Sequence, residues 1–220
     1  MTTGFHGLVF LIGGSSGTGK SVLARRLGRE WGIPALQVDD FRLVLKDAVE
    51  RAVESQDNPP ELWDHLGLGG LRDVQEVYAD PGASPELRFQ ALRATAEAMS
   101  KAVEIVIAHH IATQTPIILE GDGLLPSLLT RHTVARLPLE PGQLRGIFLV
   151  EDDENRLFEN ALQRGRGFKE GPLIEQRNII RTSWLFGQWI KTEAASQNIP
   201  VIPSHPFDTL FNRVIRVLEP

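Results

Sequence analysis

The stretch Gly14-Ser15-Ser16-Gly17-Thr18-Gly19-Lys20-Ser21 constrains this chain more than any other part of it. It fits the spacing G-x-x-x-x-G-K-[S/T] in full, and its flanks fit the context that spacing demands. Before it, Leu8 to Ile12 is a short, unbroken apolar run, the pattern of a strand buried on both faces. After it, Val22, Leu23, Leu27 and Trp31 recur at helical spacing until Gly32 and Pro34 end the helix. A strand, a glycine loop and a helix in that order make a cradle for phosphate. The glycines let successive backbone N–H groups turn inward, and the helix N-terminus adds its own donors. Gly14, Ser15, Ser16, Gly17, Thr18, Gly19, Lys20 and Ser21 are therefore the candidate nucleotide-binding residues. Lys20 is expected to reach the β- and γ-phosphates as a compact positive charge and so to be catalytic. Ser21 is expected to offer its hydroxyl to Mg²⁺.

The remaining chain alternates strands and helices. Ala35–Val38, Pro116–Leu119, Gly146–Val150 and Ile199–Ile202 read as strands. Helical patterns follow Asp39-Asp40, run from Pro85 to Thr113, and recur at 151–164, 173–197 and 207–218. That alternation predicts one α/β domain over 1–220, three-layer α/β/α, with five parallel strands. Residues 56–114 are expected to be a helical and loop insertion, a candidate acceptor region.

Further candidates stand at strand ends, where ligands gather in open α/β sheets. After the second strand come Asp39 and Asp40. Asp40 is the expected base for an attacking hydroxyl and Asp39 the expected metal-shell carboxylate, with helix capping as the competing role for each. Arg42 and Lys46 follow on the next helix, placed to meet an anionic acceptor. After the third strand, Glu120 and, more weakly, Asp122 are candidates for acceptor or metal contact; a polar turn is the alternative. The run Gln163-Arg164-Gly165-Arg166-Gly167-Phe168-Lys169 interleaves cations with glycine. Residues 163–172 suit a lid in which Arg164 and Arg166 hold phosphate and Arg164 assists transfer, or an ordinary helix C-terminus.

The same loop also contains Gly13-Gly14-Ser15-Ser16-Gly17, which fits the G-x-S-x-G nucleophile elbow. A hydrolase would then use Ser15 as nucleophile, His205 as base and an aspartate such as Asp152 to orient it. This leaves Gly19-Lys20-Ser21 without a purpose. Composition narrows the choice of partner. With 220 residues and no cysteine, thiolate catalysis and disulfides are excluded. A formal net charge of −5 disfavours broad nucleic-acid binding. No stretch is long enough to span a bilayer, and the first apolar run leads into glycine instead of a cleavage site. A cytoplasmic protein with no nucleic-acid or membrane partner is expected, with a homodimer as one option.

In order of strands and motifs, the chain resembles the nucleoside-monophosphate-kinase-like group of P-loop kinases. Asp39-Asp40-Phe41 is similar to the motif after the second strand of uridine and nicotinamide riboside kinases, where the second Asp, here Asp40, serves as base. Ile117-Ile118-Leu119-Glu120-Gly121 with Leu124-Leu125-Pro126, and the tail Asn198–Ile202 with Asp208-Thr209-Leu210, are similar to the 2-phosphoglycerate kinase family. That family has Thr-Asp-Ser where this chain has Asp-Asp-Phe, and the insertion 58–80 matches nothing in it. The resemblance implies the P-loop NTPase fold with sheet order 2-3-1-4-5. It also implies ATP and Mg²⁺, and phosphorylation of a small-molecule hydroxyl such as that of 2-phosphoglycerate. A nucleoside-type kinase and a nucleotide-dependent regulatory ATPase are the alternatives.

Overall fold

The computed structural model describes residues 4–44, 47, 77, 80, 82–164 and 168–219. Lys46, Arg166 and the insertion 58–80, Val77 and Asp80 excepted, lie outside the described residues. Strand β1 (Val9–Gly14) runs into the glycine loop, and α1 (Lys20–Trp31) follows. Then come β2 (Ala35–Gln37), α2 (Pro85–Ala112) and β3 (Ile117–Glu120). A small antiparallel hairpin, β4 (Thr133–Val134) with β5 (Leu137–Pro138), precedes β6 (Leu144–Val150). α3 (Glu154–Arg164), α4 (Leu173–Ser196), β7 (Val201–Pro203) and α5 (Phe207–Leu218) complete the described elements.

The large sheet is parallel, in the order β2-β3-β1-β6-β7. Counted within the sheet alone, this is 2-3-1-4-5, as the resemblance implies. The hairpin was not foreseen, since two-residue strands leave no periodicity to read. β1 lies in the middle of the sheet, paired along its whole length with β6 and over Val9–Ile12 with β3.

Alternation along each strand divides the core in two. Phe10, Ile12, Ile118, Ile147 and Leu149 face α1 and α5. Val9, Leu11, Ile117, Leu119 and Phe148 face α2 and α4 on the other side. Phe10 sits 4.8 Å from the Trp31 ring and 5.7 Å from Phe5. Because both sheet faces are covered, the strands read as continuous apolar runs.

The helix boundaries follow from local chemistry. Ser84 caps α2, its hydroxyl accepting from Leu87 N–H at 3.2 Å, and Pro85 occupies the first turn. α1 ends on Gly32 in the left-handed region, φ 67°. A buried guanidinium ties α2 to α4. Arg88, 2% exposed, donates to Glu175 Oε1 at 2.6 Å and to the Asp80 carbonyl at 2.8 Å.

The end of β1 shows why glycine is needed there. A Cβ at Gly14 would lie 2.0 Å from the Leu149 carbonyl oxygen, and its φ is +124°. Only glycine lets the chain leave the sheet at that point and enter the loop.

Candidate functional site

The loop between β1 and α1 is held by its own residues. The Ser15 carbonyl accepts from Thr18 Oγ1 at 2.8 Å and from Lys20 Nζ at 2.8 Å. Gly17 and Gly19 take positive φ, 86° and 88°. No side chain caps α1, so its first amides are available to an anion. Asn160 on α3 donates to the Gly17 carbonyl at 3.0 Å and fixes the loop from above.

Next to this loop lies a cavity of about 460 Å³, within the range of small-ligand sites. Ser16, Gly17, Gly19, Lys20 and Ser21 line one side, and Asp39, Glu120 and Asp122 another. Arg164 closes over the loop, with Nη1 3.4 Å from Ser16 Oγ. Gly14, Ser15 and Thr18 are buried and lie outside the cavity lining. Most candidates from the sequence are thus brought together: Lys20, Ser21, Asp39, Glu120, Asp122 and Arg164 share one cavity.

Asp40 does not join them. Residues 39–44 form a helical turn at the end of β2, and neighbouring helical positions point about 100° apart. Asp39 is turned into the cavity, while Asp40 is exposed and outside its lining. Arg42 also lies outside the lining but is close enough to act on the charge of Asp39.

The electrostatics centre on Lys20. Its ammonium, 6% exposed, is 2.6 Å from Asp122 Oδ1. Burial, and after it the negative charge of Asp122, push the Asp39 carboxyl up to about 6; Glu120 adds to this, while Lys20 and Arg42 oppose it. Glu120, 4% exposed, accepts no side-chain hydrogen bond among the described residues. Among the described residues no three His, Asp or Glu side chains converge as a metal-binding group.

The hydrolase arrangement is not assembled. Ser15 Oγ is buried with no hydrogen-bond partner. His205 Nδ1 lies 2.6 Å from Glu151 Oε2 and has no bond to Asp152. Asp152 is occupied by Lys191 at 2.7 and 2.8 Å and by Gln188, and the Lys191 hydrogen bonds hold its carboxyl below the usual range.

Several site residues escaped the sequence reading. Arg25 lines the cavity one turn after Ser21 on the same face of α1; the i, i+4 spacing could have signalled it. Phe207 at the start of α5 also lines it. Phe207 stacks on His205, with centroids 4.1 Å apart. Glu151, 5% exposed, accepts from Ser204 Oγ at 2.9 Å and from Asp153 N–H at 3.1 Å as well as pairing with His205. It stands at the end of β6, the same kind of position that marked Asp39 and Glu120, but the sequence pattern placed it in the next helix.

No family model matches the chain. It is similar to the 2-phosphoglycerate kinase of Methanocaldococcus jannaschii, 32% identical over 221 residues, covering 99% of this chain and 65% of that protein. To the enzyme of the same name from Methanococcus maripaludis strain C6 it is 26% identical over 206 residues, covering 90% of this chain and 59% of that protein. The chain therefore spans about six-tenths of the length of these two curated relatives. Among solved structures, a gluconokinase from Sinorhizobium meliloti 1021 superposes with a TM-score of 0.51 at 17% identity, covering 98% of this chain and 93% of its own. A shikimate kinase from Bacteroides thetaiotaomicron gives 0.52 at 13%, covering 97% and 99%. The fold is that of the P-loop kinases.

Proposed function

We propose that this chain is an ATP-dependent phosphotransferase that moves the γ-phosphoryl group onto a hydroxyl of a small molecule. One observation carries the reading: a phosphate loop with its lysine and a raised carboxyl, Asp39, face the same cavity of about 460 Å³. A donor and an acceptor held there would be positioned for direct transfer, which is most of what such catalysis requires.

Lys20 and Arg164 supply positive charge to the transferring group, with Arg166 assigned the same role from sequence. Asp39 takes the part expected of Asp40, because it alone of the two lines the cavity. Burial and carboxylate neighbours raise its proton affinity, which suits a base working near neutral pH. Glu120 and Asp122 flank the acceptor position. Magnesium fits the donor set: Ser21 offers a hydroxyl, and the adjacent carboxylates are hard oxygen ligands. No protein cage is required, since Mg²⁺ commonly takes one or two carboxylates plus phosphate oxygens. The chemistry it supplies when bound is neutralisation of charge on the β- and γ-phosphates.

The names of the sequence relatives make a phosphorylated acid such as 2-phosphoglycerate the first acceptor to try. A nucleoside comes second. Cytoplasmic location and a homodimer belong to the same proposal, and size-exclusion chromatography reads the latter. The test is ATP consumption with and without a panel of phosphorylated acids, sugars and nucleosides. Acceptor-dependent consumption, lowered about 10²-fold or more in Lys20→Ala with a cooperative melt retained, is expected. An acceptor-independent rate would favour a regulatory ATPase, and parent-like turnover in Lys20→Ala would refute the lysine's role.

A further inference from the structure

We infer that Gly187, in the middle of α4, is a positioning residue for the phosphate loop, and that it acts through Ser15. The inference rests on the nucleotide-binding reading above. α4 is a 24-residue helix whose inner face carries Ile180, Ser183, Phe186, Gly187 and Ile190. Glycine is a poor residue for a helix interior compared with alanine, so its place in the centre of a buried helix needs a packing reason.

Ser15 supplies the reason. A Cβ at position 187 would lie 2.8 Å from Ser15 Oγ and 3.4 Å from Ser15 Cβ. The first distance is a clash and the second an ordinary contact. Ser15 itself is 1% exposed, and its hydroxyl has no hydrogen-bond partner. Its side chain lies against the helix, while its carbonyl is bonded by the loop's own Thr18 and Lys20.

The position of Ser15 matters because its carbonyl is the anchor of the loop. It accepts from Lys20 Nζ and from Thr18 Oγ1, each at 2.8 Å. A methyl group on α4 that displaces Ser15 therefore displaces the acceptor holding the lysine ammonium. Gly187 is not among the residues lining the cavity, and the two Ser15 atoms are all that a Cβ there would meet within 4 Å.

Four proteins test the inference: the parent, Gly187→Ala, Ser15→Ala and the double variant. ATP binding with Mg²⁺ is measured by calorimetry, and melting is measured without ligand. Gly187→Ala is expected to weaken ATP binding about 10- to 100-fold. The same change made in the Ser15→Ala background, where the clashing oxygen is gone, is expected to alter binding less than about threefold. Ligand-free melting should show the same reversal: Gly187→Ala lowers the melting temperature beside Ser15 and raises it beside Ala, which is the better helix former.

Parent-like ATP binding by Gly187→Ala would overturn the inference. So would an equal loss in both backgrounds, which would mark a merely structural effect. If Gly187→Ala does not fold, the double variant decides: folding with the ATP affinity of Ser15→Ala supports the inference, and failure to fold overturns it. A parent chain that binds no ATP would overturn the proposed function and this inference with it, an outcome recognisable before any variant is made.

Discussion

Replacing Asp39 with asparagine should make the protein more stable at alkaline pH while removing its activity. The ordinary value of this carboxyl is 3.8, and in the fold it is raised to about 6, first by burial and then by Asp122. At about 1.4 kcal/mol for each pH unit, the ionised form is disfavoured by at most about 3 kcal/mol. Water in the cavity screens part of this, leaving about 1–2 kcal/mol. A group with a raised folded value stabilises fully when protonated, below 3.8, and loses that contribution as pH rises through 6. The penalty is thus small at pH 4, just above 3.8, and complete by pH 8. For a chain of this size 1 kcal/mol corresponds to about 2–4 °C of melting temperature. Asp39→Asn is therefore expected to melt roughly 3–6 °C above the parent at pH 8 and within about 1 °C of it at pH 4. Thermal denaturation followed by circular dichroism across that pH range measures the difference. A gap that stays constant with pH, or a variant less stable at pH 8, would refute the electrostatic account. An activator residue whose removal stabilises the fold is the usual trade between function and stability.

Two further changes probe the neighbouring contacts. Asp122→Ala removes the carboxylate 2.6 Å from the Lys20 ammonium; metal-free ATP should then bind roughly fivefold more tightly, about 1 kcal/mol, by calorimetry, and unchanged or weaker binding would count against competition between Asp122 and phosphate. Glu151→Ala leaves the buried Ser204 hydroxyl, the Asp153 amide and His205 without their acceptor, a loss of about 2–4 kcal/mol in urea denaturation. Because His205 stacks on Phe207 at the cavity wall, the same variant should also raise the KM for nucleotide, and a drop in stability with an unchanged KM would separate the loop from nucleotide binding.

Much of the fold was legible because its signals are local. The continuous apolar runs of β1, β3 and β6 identify strands covered on both sides, and the glycine loop identifies the turn into α1. Pro85 and Ser84 mark the start of α2. The glycine-loop half of the candidate site was legible for the same reason, since Gly14 to Ser21 is contiguous in the chain. What escaped depends on direction or on distant partners. Asp39 and Asp40 are chemically identical, and only the helical turn beginning at residue 39 decides which of them faces the cavity. Asn160 and Phe207 reach the loop from elements 140 or more positions away, which no periodicity reports. Gly187 reads as a defect in a helix until its distance to Ser15 is known.

The buried Arg88 has one more consequence. Its guanidinium grips the Asp80 carbonyl and Glu175, while the other root of the 45–79 segment is fixed where residues 39–44 leave β2. Both ends of that segment are thus moored to the scaffold independently of what lies between. Insertions, deletions or substitutions in that interval leave both of these anchoring contacts in place.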